Sequence, residues 1–245
     1  MMRALLVRGL ISGLVAGLVA LVFARIAGEP PIGGAIDFES ALEAAPGEAA
    51  EPELVSRAIQ SSIGLATAVL VYAVAFGGLF SLAFAIAYGR AGRLSPRATA
   101  AVLALGGYLV VCVVPFLKYP ANPPAVGKAE TIGQRTGWYL AMVVISVLLA
   151  VAATYLGRQL TSRLSAWNAA LAAGAMYVVA VAAAQALLPS INEVPEAFPA
   201  TLLWNFRIAS LGTQLVMWTI LGLLFGALVT PRELAPQGSP QIGAE

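Results

Sequence analysis

Six runs of apolar residues, each long enough to cross a hydrocarbon layer, alternate along the chain with polar connections. A helix needs about 20 mostly apolar residues to cross roughly 30 Å of hydrocarbon, because each residue rises about 1.5 Å. The runs cover residues 4–27, 63–88, 98–117, 136–157, 167–188 and 208–229. The last five hold no charged residue. The first holds Arg8 and Arg25 near its ends, where long side chains can reach the headgroups. Its start is basic, but no small-x-small site follows, so it reads as an uncleaved span rather than a removed signal. The pattern predicts an all-α integral membrane protein: one polytopic domain of six transmembrane helices over 1–232, with a flexible cytoplasmic tail at 233–245.

The connections alternate in character. Segments 89–97 and 158–166 are short and carry Arg90, Arg93, Arg97, Arg158 and Arg163 with no acid. Segments 28–62, 118–135 and 189–207 are longer and rich in proline and carboxylates. Basic residues concentrate on the cytoplasmic side, which places both termini in the cytoplasm and the long connections outside. Trp138 and Trp204 then fall at the outer interface and Trp167 at the inner one, as an aromatic belt requires. Ten of the twelve acids (Glu29, Asp37, Glu39, Glu43, Glu48, Glu51, Glu53, Glu130, Glu193 and Glu196) lie on the outer side, a face that concentrates cations. Within the acidic segment 29–62, residues 37–53 read as a mobile, solvated loop.

Composition narrows the chemistry. The chain has 245 residues, is 60% hydrophobic and only 11% charged, less than half the charged share of a soluble domain. Histidine is absent, which removes imidazole as base, relay or ligand. Cys112 stands alone, so neither an intrachain disulfide nor a thiolate cluster can form. No phosphate-binding glycine loop occurs, an enzyme is not expected, and the net charge of +2 gives no sign of nucleic acid.

The three long connections echo one another. Each odd span leaves through proline (Pro30-Pro31, Pro115 to Pro124, Pro189 to Pro195), and each even span follows an arginine (Arg57, Arg135, Arg207). The inner turns repeat Arg-Leu-Ser at 93–95 and 163–165. We read three parallel copies of one helical hairpin, with chance similarity of helix ends as the alternative. Proline cannot donate a backbone hydrogen bond, so these exits are expected to end the helices and leave carbonyls free. With Asn122, Asn192 and the neighbouring acids they offer hard oxygen ligands to a divalent cation; the plainer reading is a rigid cap without a ligand. Gly9, Gly13 and Gly17, and again Gly222 and Gly226, form small-residue stripes that point to close helix packing. No Asp or Glu lies within any of the six spans. Candidate pathway residues among the intramembrane polar side chains are Ser12, Ser81, Ser146, Ser210, Thr154, Thr219, Gln185 and Gln214, of which Ser210 and Gln214 share a face at i, i+4.

Two long motifs carry a resemblance. Lys118-Tyr119-Pro120-Ala121-Asn122-Pro123-Pro124-Ala125-Val126-Gly127, with Glu130-Thr131-Ile132-Gly133 and Arg135-Thr136, is similar to the signature of the CbtA family of cobalt transporter subunits. So is the run from Asn192 to Trp204, with Phe206-Arg207 and Ala209 to Gln214; Arg8-Gly9-Leu10 and Gly28-Glu29-Pro30 fit as well. The resemblance covers essentially the whole chain. It implies a bacterial inner-membrane protein for cobalt uptake in cobalamin biosynthesis, with a small one-span partner, CbtB. Many relatives carry histidines in the first outer loop and this chain has none, so nitrogen ligands would come from the partner, or oxygen ligands would suffice, or this member handles something else.

Together these readings predict a membrane subunit of a cobalt(II) uptake system with no tightly bound cofactor. The metal ligands would be Glu29, Asn122, Glu130, Asn192, Glu193 and Glu196. Arg57, Arg135, Arg207 and Lys118 would pair with the loops, and Ser210 and Gln214 would line the path. A membrane scaffold that binds another protein through its outer loops is the competing reading, and self-association is left open.

Overall fold

The structure, a computed structural model, describes residues 2–43, 56–90 and 94–229. No strand occurs among the described residues, and six helices are long and apolar enough to cross a membrane. They are α1 (Met2–Leu42), α2 (Arg57–Ala87), α3 (Pro96–Lys118), α4 (Ala129–Leu160), α5 (Ala166–Leu187) and α6 (Ala200–Leu228). The tail at 233–245, Arg93, Arg232 and the acids Glu48, Glu51 and Glu53 lie outside the described residues.

Four helices outrun their apolar windows at the proline-rich end. The largest departure is in α1. Pro30-Pro31 were expected to stop this helix, and 37–53 to form a loop, yet Glu29–Glu43 is α-helical. A π-helical turn at Ala24–Gly28 explains how the helix continues. Proline in a helix interior lacks an N–H, and its ring collides with the carbonyl four residues back. A wider turn just upstream, where the Glu29 N–H reaches the Ala24 carbonyl, moves those carbonyls away from the rings. The same device recurs in α3. There a π turn at Tyr108–Val113 precedes Pro115, and the Val114 N–H bonds the Leu109 carbonyl.

The chain forms two compact units. The first takes in the described parts of Met1–Val22, Ser62–Leu105 and Val216–Glu245. In it α1 and α2 touch backbone to backbone. A Cβ on Gly9 would strike the Gly77 carbonyl and come within 2.8 Å of the Ser81 Cβ, and one on Gly17 would lie 2.8 Å from the Ala73 Cβ. A Cβ on Gly13 would lie 3.1 Å from the Gly77 Cα. Gly222 meets Ala104, and Gly226 rests on Ala100 and the Arg97 backbone. Aromatic edges complete the unit: Phe225 packs on Phe84 and Phe80 at centroid distances of 5.0 and 5.2 Å, and Phe76 on Trp218 at 5.7 Å. Lipid offers no hydrophobic gain for bringing helices together, so close backbone approach and ring packing supply the association.

The second unit comprises Phe23–Ser61, as far as described, and Gly106–Leu215. Its core joins Tyr119, Met142 and Val181, with Trp138, Tyr139 and Tyr177 against them. A polar ladder runs beside this core. The π turn gives the Val114 N–H to Leu109, and Pro115 has no N–H, so the Val110 carbonyl loses its helical donor. Ser146 Oγ donates to it at 2.8 Å. That spends the only serine hydrogen, so the Tyr177 hydroxyl, 2.8 Å from the same Oγ, is the donor in their pair. Gln185 Nε2 donates to the Val114 carbonyl at 2.9 Å, and the Tyr108 hydroxyl to the Leu211 carbonyl at 3.3 Å.

Candidate functional site at the proline-rich end

Beyond α3 the chain turns back through a Pro-rich segment containing two left-handed residues, Ala125 (φ 62°) and Gly127 (φ 115°). Gly127 is required twice over. Its backbone angle disfavours any L side chain, and a Cβ there would collide with the guanidinium of Arg135. The vacant side of this glycine thus seats Arg135, whose Nη2 donates to the Lys128 carbonyl at 3.3 Å. Its Nε faces Glu193 Oε2 at 3.5 Å. The same carboxylate oxygen accepts the Lys128 backbone N–H at 2.9 Å. The Thr131 hydroxyl lies 2.9 Å from both this oxygen and the Lys128 carbonyl, so its one hydrogen is shared. Glu193 therefore ties the segment after α5 to the turn that starts α4. Its carboxyl is held below the usual carboxylate range, chiefly by the Lys128 N–H and next by the Thr131 hydroxyl, with a smaller contribution from Arg135.

A second tie comes from α6. Arg207 donates through Nε to the Ala121 carbonyl at 3.3 Å and through Nη2 to Asn122 Oδ1 at 3.0 Å. A fork of donors on one rigid plane suits this paired target better than a single ammonium would. Lys118 Nζ reaches Ser190 Oγ at 3.1 Å, and the Tyr119 hydroxyl donates to the Pro189 carbonyl at 2.8 Å. A third tie closes the first hairpin: Arg57 Nη2 lies 2.5 Å from Glu29 Oε2, with Arg25 at 3.7 Å from the same oxygen. Arg25 also donates to the Ser61 carbonyl at 2.7 Å. The helical extension of α1 packs over this end through Ala35, which clusters with Val126 and Phe198, while Phe38 meets Phe198 edge to face at 5.0 Å.

The six expected metal ligands do not gather into one cage. Glu29 and Glu193 are half-buried against arginine, and Asn122 Oδ1 is taken by Arg207. Glu130, Asn192 and Glu196 are exposed. Among the described residues no three Asp, Glu, Cys or His side chains converge. Ser210 is half-buried, and Gln214 Oε1 lies 3.7 Å from the Cys112 thiol, a weak contact. Sequence reasoning missed Gly127, Thr131, Tyr119 and Ser190. The only visible signal was that the first three sit inside the motif that carries the family resemblance.

Chemically, this end offers hard oxygen atoms of two kinds: Glu29 and Glu193 have their charge countered by arginine, while Glu130 and Glu196 are exposed.

These features define a multi-pass membrane protein whose polar chemistry is concentrated in the connections at one end of its helices. The chain belongs to the CbtA family, described as probable cobalt transporter subunit, which matches residues 2–230. No curated protein and no solved structure matches it.

Proposed function

We propose that this chain is the polytopic subunit of a cobalt(II) uptake system in a bacterial inner membrane, with its proline-rich end facing outward. The basic connections at 89–97 and 158–166 support that orientation, and both termini then lie in the cytoplasm. In this reading Glu130, Asn192 and Glu196 collect the cation at the surface. Glu29, Asn122 and Glu193 form the mouth, and each gives up an arginine contact when the ion arrives. Ser210 and Gln214 line the route inward. A small CbtB-like membrane subunit completes the transporter and supplies nitrogen ligands that a histidine-free chain cannot.

The observation that carries this reading is the Glu193 carboxylate, which joins two connections through Lys128, Thr131 and Arg135. A divalent cation competes with a guanidinium for the same oxygen, so binding there and loosening of the connections are one event. Glu193→Gln keeps the shape and removes the charge. In cells that depend on this system it should lower radiolabelled cobalt accumulation several-fold at equal membrane abundance, and unchanged uptake would remove Glu193 from the mouth. Cobalt flux into liposomes, with and without the small subunit, tests transport itself; no flux in either case would favour a scaffold.

A further inference from the structure

A groove of about 410 Å³ runs along α4 and α5 in the second unit, open on one side. Its floor is made of small residues: Ala153, Ala169 and Ala173 are buried, and a Cβ on Gly157 would come within 3.0 Å of the Ala173 Cβ. Tyr177 and Val110 close one end, and Arg158, Thr161 and Ala166 the other. From Ala166 to Tyr177 the helix rises about 16 Å, close to the roughly 15 Å of hydrocarbon in one leaflet.

The polar end of the groove is asymmetric. Thr154 and Thr161 spend their hydroxyl hydrogens on their own helix, on the carbonyls of Ala150 and Arg158 at 2.8 and 2.7 Å. Arg158 is exposed and is the one charged residue of the lining. None of the described carboxylates lies on its side: Glu130 sits in the first turn of α4, at the opposite end of that helix, Glu193 and Glu196 follow α5, and Glu29, Asp37 and Glu39 belong to the far end of α1. The charge at this end is therefore uncompensated by the described protein, while the floor of the groove is apolar and the groove is about one leaflet long.

We infer that this groove binds an anionic phospholipid from the leaflet on the Arg158 side, one acyl chain lying along the small-residue floor and the phosphate held by Arg158. A neutral helix in the same place would cover the apolar floor and leave the guanidinium unmatched. An anionic lipid satisfies both ends. The inference stands apart from cobalt handling, which uses the other end of α4.

The test uses the purified full chain in mixed micelles holding equal phosphatidylglycerol and phosphatidylcholine of matched chain length, with retained lipid counted by native mass spectrometry after washing. Wild type should keep phosphatidylglycerol over phosphatidylcholine. Arg158→Gln should lower phosphatidylglycerol retention about fivefold, the usual effect of one basic group at an anionic surface, and Arg158→Lys should keep most of it. Ala170→Phe, which narrows the groove without touching charge, should reduce retention of both lipids. Circular dichroism and melting of each variant confirm that the fold is kept. Equal retention of the two lipids by wild type would overturn the inference, as would undiminished phosphatidylglycerol in Arg158→Gln. Displacement of the lipid by millimolar inorganic phosphate, or cross-linking of Ala170→Cys to a second polypeptide in native membranes, would overturn it too.

Discussion

Ser146→Ala isolates the cost of the π turn in α3. The Val110 carbonyl has lost its helical donor and depends on Ser146 Oγ at 2.8 Å. A buried carbonyl left without a donor costs about 1–3 kcal/mol in a protein interior. In membrane proteins such bonds measure about 0.6 kcal/mol on average and about 1.7 at most, because the unfolded chain in lipid finds other partners. The Tyr177 hydroxyl would also lose its acceptor, so the comparison belongs in a Tyr177→Phe background. There we expect Ser146→Ala to cost about 1 kcal/mol. Adding Pro115→Ala restores a backbone N–H that can serve this carbonyl or release the Val114 N–H to it. In that background the cost of Ser146→Ala should fall within the roughly 0.3–0.5 kcal/mol scatter of independent sites. SDS-driven unfolding of the four proteins in mixed micelles, followed by circular dichroism, gives the coupling. Equal costs with proline and alanine at 115 would refute the account, since the serine would then be serving something other than the interrupted ladder.

Two further outcomes concern the proline-rich end. Gly127→Ala should expel the Arg135 guanidinium from its seat, and amide exchange should speed up in both 119–131 and 188–199; acceleration confined to the first segment would mean that Glu193 holds without Arg135. The Glu193 carboxyl is depressed in the folded state, so its contribution is fully present above the ordinary carboxylate pKa and is lost as pH falls through the lower folded value. Melting of wild type should therefore decline more than that of Glu193→Gln as pH drops below about 4.3, and parallel pH profiles would contradict the assignment.

The spans were legible because lipid imposes a simple rule: five charge-free runs of helix-spanning length leave no other fold. What lay beyond lipid was less so. Pro30-Pro31 look like a stop in sequence, because nothing in Ala24–Gly28 announces a wider turn that accommodates them. The arginines that open α2 and α4 and the helical arginine of α6 stood out as residue types, but their partners did not. Arg207 meets Asn122 and a carbonyl rather than an acid, and Arg135 reaches an acid on a different hairpin. Such pairings depend on how connections fold over one another, which helix periodicity does not encode. Ser146 and Gln185 were visible as polar residues in lipid, yet their purpose follows only from carbonyls whose positions the π turn and α3 determine.

The π turn in α1 has a consequence for every residue after it. Such a turn holds one more residue than an α turn, and one residue is about 100° of rotation. It therefore acts as a phase offset, dialling Glu29 toward Arg57 and Ala35 toward Phe198 without altering either side chain. Deleting one of the uncharged residues of 24–28 would preserve hydropathy, charge and helix, and would still swing both contacts out of register.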